Sequence, residues 1–336
     1  MTSEHAHERP RSTRLATGHS LRRGIPAPVR LAFGVVAALP VVLVTLAYHS
    51  DRAGSGRVDI AGVPLTTSSL LDTRLPMEVN EQVERWIHRF LGPDRESFEG
   101  YLVREGLYGG LIQDRLRERG MPEELLYLAM IESGFLASAT SPVSASGVWQ
   151  FMGATARAYG LTVDYWVDER RDPVRATDAA LDYLEELHDL FGSWYLAAAA
   201  YNAGPTPVTR ALANLGNTGV PEEELYWKIS GHLPRETREY VPKILAATLL
   251  AQQAEHFGFD VEKSLPYLFD RVLVPANTPL TRVAVALDVQ PSLIRELNPH
   301  LIRGTTPPGG AHLVRVPQGD SHRLVASLMG GVQRVD

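Results

Sequence analysis

From about Met77 to His256 the apolar residues recur at helical spacing, and nowhere in that stretch do they alternate as a half-buried strand would. A chain patterned this way buries its apolar stripes by packing helix on helix. Val83, Trp86, Ile87, Phe90 and Leu91 mark the face of a first helix. Gly120 and Pro122 punctuate the chain, and Pro122 suits a helix start. Leu125 to Ile131 is apolar apart from Tyr127, the pattern of a buried helix. Further helices are expected over about Thr177–Leu190, Ser193–Ala203 and Thr237–Phe257.

After Gly258 the pattern changes. Arg271 to Val274 reads as a short strand, Leu280–Leu287 and Ser292–Asn298 as two short helices, and His312 to Val316 as a closing strand. This is one β-α-α-β unit bounded by Pro275 and Pro317, present as a single copy. From about residue 320 the chain reads as a short helix or a loose tail.

The first 48 residues do not belong to this scheme. Residues 1–30 carry six Arg against two Glu, a charge of +4, so the rest of the chain holds −10 of the net −6. The uncharged stretch Leu31 to Tyr48 follows. At about 1.5 Å per residue its helix would span roughly one bilayer core. The arginines before it place the N-terminus in the cytoplasm. A retained anchor and a cleaved signal peptide are both open, the second supported by Thr45 and Ala47. Either way the acidic body lies outside the cytoplasm, and its charge argues against nucleic acid as a partner. Residues 49–75, rich in Gly, Ser, Thr and Asp, read as a solvated linker.

The chain has no cysteine, which excludes disulfides, thiol nucleophiles and Cys-bound zinc. Its 11 histidines form no ligand-like cluster, so neither a metal nor a cofactor is expected.

Glu132 is the leading candidate for chemistry. It ends the apolar helix and is followed by Ser133 and the helix stop Gly134. Apolar surroundings and the negative end of a helix dipole both raise a carboxyl pKa. Protonating a glycosidic oxygen needs such a neutral acid. A surface Glu near a helix end is the plainer reading of this segment alone. The small-residue loop Ser141 to Gly147 leads into Val148-Trp149-Gln150-Phe151-Met152, and such loops bring backbone close to a ligand. Gln150 can bond a sugar amide, and Trp149 can face a sugar ring or fill the core. Asn202, in Ala199-Ala200-Tyr201-Asn202-Ala203-Gly204, can bind an acetamido group or cap its own helix.

Together these segments resemble the soluble lytic transglycosylase (SLT) domain of the glycoside hydrolase family 23 superfamily, over about Glu123 to Lys243. They match its Glu-Ser, Gly-x-x-Gln and Ala-Tyr-Asn-Ala-Gly motifs. Between them Asp172-Pro173, Ala176-Thr177, Ala179-Ala180, Tyr183-Leu184 and Phe191-Gly192 fit as well. The stretch Leu233 to Lys243 resembles the membrane-bound lytic murein transglycosylase D subgroup. Gly153 and Thr206 depart from the usual pattern and leave loop shape open. The resemblance implies a lysozyme-like, all-α catalytic domain. Glu132 would be its acid/base, with Ser133 orienting that carboxyl. Gln150, Tyr201 and Asn202 would line the sugar groove, and Tyr240 would close over the centre. The implied reaction cuts the MurNAc–GlcNAc β-1,4 bond without water, giving a 1,6-anhydromuramyl product. Asp164, Asp168, Glu169 and Asp172 remain as possible second carboxylates, which a hydrolase would need.

The C-terminal unit resembles a LysM-type glycan-binding module through Asn277-Thr278-Pro-Leu280, Leu297-Asn298-Pro299, Pro308-Gly309 and Val314 to Pro317. Ala276-Asn277 stands in place of the usual Gly-Asp, so glycan binding and a purely supporting role are both open.

The expected chain is therefore mainly α. A basic cytoplasmic segment (1–30), a membrane helix or signal (31–48) and a linker (49–75) precede the SLT domain (76–257). A small α+β LysM-like module (258–319) and a tail (320–336) follow. The expected partners are peptidoglycan glycan strands and, through the N-terminal helix, the membrane. The reading places the enzyme in the cell envelope, anchored with its catalytic domain periplasmic, or secreted. A lysozyme-like muramidase and a non-catalytic peptidoglycan-binding scaffold are the alternatives.

Overall fold

The computed structural model describes residues 57–66, 73–215 and 222–330. The expected membrane segment 31–48 lies outside them. Among the described residues no helix is long and apolar enough to cross a membrane.

Two cores organise the described chain. The larger gathers helices α1 (Glu81–Leu91), α2 (Arg95–Glu118), α3 (Leu126–Ser133), α4 (Gly153–Ala158), α5 (Pro173–Phe191), α6 (Trp194–Ala203), α7 (Pro205–Ala213), α8 (Glu222–Ile229) and α9 (Arg235–Gln252). These fulfil the helical periodicity of the sequence. The apolar face of α1 buries Val83, Ile87 and Phe90, as its spacing requires. Its start is fixed by Asn80, whose Oδ1 accepts from the N–H groups of Gln82 and Val83. Alanines in α6 are almost wholly buried and let α5 and α9 approach it closely.

The smaller core is the expected β-α-α-β unit. Strands β3 (Phe269–Val274) and β4 (His312–Pro317) pair antiparallel, with Val272 opposite Val314. Helices α10 (Leu280–Leu287) and α11 (Pro291–Leu297) cover the sheet. Asn298 stitches this unit together, because its buried amide donates to Ile294 O and Arg315 O and accepts from Arg315 N. A buried side-chain amide with its bonds made costs little; unmade, it would cost about 1–3 kcal/mol.

One expectation needs correcting and one open choice is decided. The linker 49–75 contains a hairpin, β1 (Arg57–Ile60) and β2 (Val63–Thr66), joined at Ala61-Gly62, and Ile60 is buried in the larger core. For the segment from residue 320, the short helix is the reading of the two that the structure shows. Ser321–Gly330 is helix α12, and its Leu324 is buried against the smaller core.

The connection between the two cores is itself packed. Ser264 N donates to Val103 O and Tyr267 N to Leu107 O, at 2.8 and 3.0 Å, so the connector lies along α2. Gly106 makes this possible, since a Cβ there would stand 2.1 Å from Ser264 O. Arg315 of β4 then reaches Asp172 with two contacts of 2.7 Å, both residues buried. Val167, from the segment that leads into α5, is buried within the smaller core.

Candidate active site

Helix α3 presents Glu132 where its last turn ends. Gly134 caps the helix in the left-handed conformation (φ 59°), and its N–H returns to Met130 O. A side chain at Gly134 would strike Tyr101, so the stop is sterically enforced as well. Residues Leu126 to Met130 are buried, whereas Ile131 and Glu132 emerge into a cleft of about 1010 Å³.

Five of the six site residues expected from sequence line this cleft: Glu132, Gln150, Tyr201, Asn202 and Tyr240. Tyr240, from α9, donates from its hydroxyl to Glu132 Oε1 at 2.6 Å. Burial pushes the Glu132 carboxyl up to about 7. The Tyr240 bond and the charge of Lys243 work against that rise, and Glu236 adds to it. Near neutrality Glu132 therefore divides between its acid and its base form.

Ser133 is placed differently. Its hydroxyl donates to Val148 O at 2.8 Å and accepts from Leu136 N, and it does not line the cleft. It fastens the end of α3 to the neighbouring loop. Gln150 holds that loop from within, donating from Nε2 to Gly147 O at 2.9 Å and adopting a positive φ of 48°. Gly147 (φ 84°) permits no side chain, because a Cβ would fall 1.7 Å from Arg170 O. Arg170 closes the bracket by donating to Ser144 O and Phe151 O. Trp149 is a core residue with no exposed surface, its indole N–H bonded to Thr177 Oγ1.

Tyr201 donates to Trp149 O at 2.9 Å, which ties α6 to the same loop. Asn202 bridges to α9, donating to Glu236 Oε1 and accepting from Thr237 Oγ1. Gly204, with φ 79° and ψ 160°, turns α6 directly into α7 beside the cleft.

The four acidic candidates near α5 lie elsewhere. Asp172 caps α5 and binds Arg315, Asp168 pairs with Arg170, Glu169 accepts from Thr162 N, and Asp164 accepts from Trp166 N and Val167 N. The carboxylates that share the cleft with Glu132 are Glu236 and Glu239. Both lie on α9, spaced with Tyr240 and Lys243 at helical intervals, so all four face one side. That spacing is the sequence signal that would have found them. Trp86 and Arg89 of α1 complete the wall. Among the described residues no group of His, Asp and Glu could hold a metal ion.

Residues 111–221 match the transglycosylase SLT domain, and residues 268–329 match the LysM-like domain of lytic transglycosylase MltD. The chain is 32% identical over 266 residues to the membrane-bound lytic murein transglycosylase D of Escherichia coli K12, covering 77% of this chain and 57% of that protein. It is 36% identical over 157 residues to the peptidoglycan transglycosylase gp16 of Escherichia phage T7, covering 45% of this chain and 11% of that one. The 70 kDa soluble lytic transglycosylase of Escherichia coli overlays with a TM-score of 0.37 at 25% identity, over 44% of this chain and 24% of its own. The chain spans less than two thirds of the curated relative's length; what it shares with known families is a match to the transglycosylase SLT domain and, further on, a match to the MltD-type LysM-like domain.

Proposed function

We propose that this protein is a peptidoglycan lytic transglycosylase with a lysozyme-like catalytic domain, cutting the MurNAc–GlcNAc β-1,4 bond. The observation that carries the reading is Glu132, a cleft carboxyl poised near pKa 7 with a single tyrosine donor at 2.6 Å. In its neutral form Glu132 gives its proton to the leaving glycosidic oxygen as the bond to C1 breaks. The resulting carboxylate accepts the proton of the muramyl 6-hydroxyl as O6 bonds to C1. The proton count closes with no water consumed, and the product ends in 1,6-anhydromuramic acid. Tyr240 steadies the carboxylate in the second half. Gln150, Tyr201 and Asn202 shape the sugar groove, and Ser133 holds the loop that carries one of its walls.

A lysozyme-like hydrolysis is the second reading. It is favoured by the presence of Glu236 and Glu239 in the same cleft, where either carboxylate can activate a water. Digestion of purified sacculi followed by mass spectrometry separates the two. Anhydromuramyl ends are expected, and reducing ends alone would establish the hydrolase. Glu132→Gln should lower product release about 10³-fold. Undiminished digestion by that variant would remove Glu132 from the mechanism.

Residues 31–48 are proposed to hold the chain at the membrane, or to direct its export, with the catalytic domain on the periplasmic side. The proposed division runs from the SLT domain (76–257) to the LysM-like module (258–319), extended by the packed helix α12.

A further inference from the structure

The proposed mechanism leaves one corner of the cleft unused. It is formed by Trp86 and Arg89 on α1 and by Lys243 on α9. Helix α1 precedes residues 111–221, the part that matches the SLT domain, so that match does not cover Trp86 and Arg89.

The carboxylates around it are all engaged. Glu239 Oε2 accepts from the indole N–H of Trp86 at 2.8 Å, which fixes the ring. Asp94 pairs with Arg89, Glu236 accepts from Asn202, and Glu132 accepts from Tyr240. The Lys243 ammonium is left half-buried, with no carboxylate within ion-pair distance among the described residues. Its near neighbour is the Trp86 ring, 5.3 Å from Nζ to the centroid, and the Arg89 guanidinium stands 5.1 Å from the same ring. A cation–π contact offsets only part of what an ammonium loses on leaving water. Burial accordingly lowers the Lys243 pKa. An open cleft that keeps a cation out of any ion pair among the described residues, with Glu132, Asp94 and Glu236 acting on it only at longer range, is suited beside a fixed aromatic face to receive an anion from the ligand.

The sugar backbone of peptidoglycan offers no such anion. Its anionic groups are the carboxylates of the peptide stem attached to the lactyl ether of muramic acid. We propose that Trp86, Arg89 and Lys243 form a subsite for that stem. Lys243 pairs with a stem carboxylate, Arg89 supports the charge, and Trp86 covers the apolar part of the peptide. This rests on the peptidoglycan reading given above and adds a recognition element to it.

The test is binding to the full chain carrying Glu132→Gln, which removes turnover and the electrostatic coupling between Glu132 and Lys243. Titration calorimetry would compare a GlcNAc–MurNAc disaccharide bearing its peptide stem with the same disaccharide whose lactyl carboxyl is capped as a methylamide, which carries no anion. The stem is expected to tighten binding about tenfold, equivalent to about 1.4 kcal/mol. That advantage should shrink as ionic strength rises. Adding Lys243→Met should bring the two affinities within about twofold of each other, and Arg89→Met should narrow the gap by less. An unchanged ratio in Lys243→Met, or equal affinity for the two ligands at the outset, would overturn the subsite. Failure of either ligand to bind, with circular dichroism showing a folded protein, would instead overturn the peptidoglycan reading and the subsite with it.

Discussion

Glu132 and Asp172 are carboxylates at helix ends, each with a cation and a tyrosine near it, and they meet opposite fates. Asp172 stands at the N-cap of α5, where it accepts from the N–H groups of Val174 and Arg175. It also receives both contacts of Arg315, which in turn touches the Tyr267 hydroxyl. Glu132 stands at the far end of α3, where the helix dipole opposes negative charge. It has one hydrogen bond, from Tyr240, and its nearby cation Lys243 is not paired with it. The ingredients match; the helix polarity and the completeness of pairing differ. One site becomes a strut between two cores, and the other becomes a group that can exchange a proton.

The strut should show the larger effect when broken. Arg315→Met leaves Asp172 buried without its cation, and loss of one partner of a buried pair costs about 3–5 kcal/mol. Urea denaturation measures this, and the double variant with Asp172→Asn should recover part of the loss. Equal losses in the single and double variants would mean that the pair is not the seat of the effect.

The cleft carboxyl should behave in the opposite sense. Its folded pKa of about 7 lies above the ordinary value of 4.5, so the folded state holds a proton that the unfolded state releases. Its cost to stability is absent below about pH 4.5, grows between the two values and is complete above pH 7. Glu132→Gln should therefore stabilise the protein at pH 8, by on the order of 2 kcal/mol, and leave it nearly unchanged at pH 4. Thermal unfolding at both pH values checks the sign.

Smallest is the effect of Tyr240→Phe. It removes the bond that favours the ionised form, so the Glu132 pKa rises further. The alkaline limb of the pH–rate profile should move up by about half to one pH unit. A downward shift would mean that Tyr240 supports the neutral acid instead.

The helices and the cleft were legible in the sequence for different reasons. Apolar periodicity reports burial directly, which is why helices form where the spacing places them, with α6 matched within a residue, α5 starting four residues before the expected Thr177 and α9 stopping at Gln252 rather than Phe257. Glu132 alone was an ordinary helix-end residue, and the motifs around it singled it out. What stayed hidden depends on contacts between distant segments. Trp86 and Glu239 lie 153 residues apart, and no local pattern announces that one orients the other. The hairpin at residues 57–66 is short, and its apolar Val58, Ile60, Val63 and Leu65 sit within a stretch rich in Gly, Ser, Thr and Asp that masks the pairing. Ser133 was expected to orient the carboxyl and instead bonds Val148, because the carbonyl it meets comes from a loop 15 residues on.

Gly106 carries a consequence beyond the packing of one segment. The missing side chain in the middle of α2 lets the connector lie flush against the helix, where a tether would otherwise swing free. The sheet module is thus held as a lever with a fixed arm. Any load placed on it is delivered through α2 and Asp172 to the body that carries the cleft.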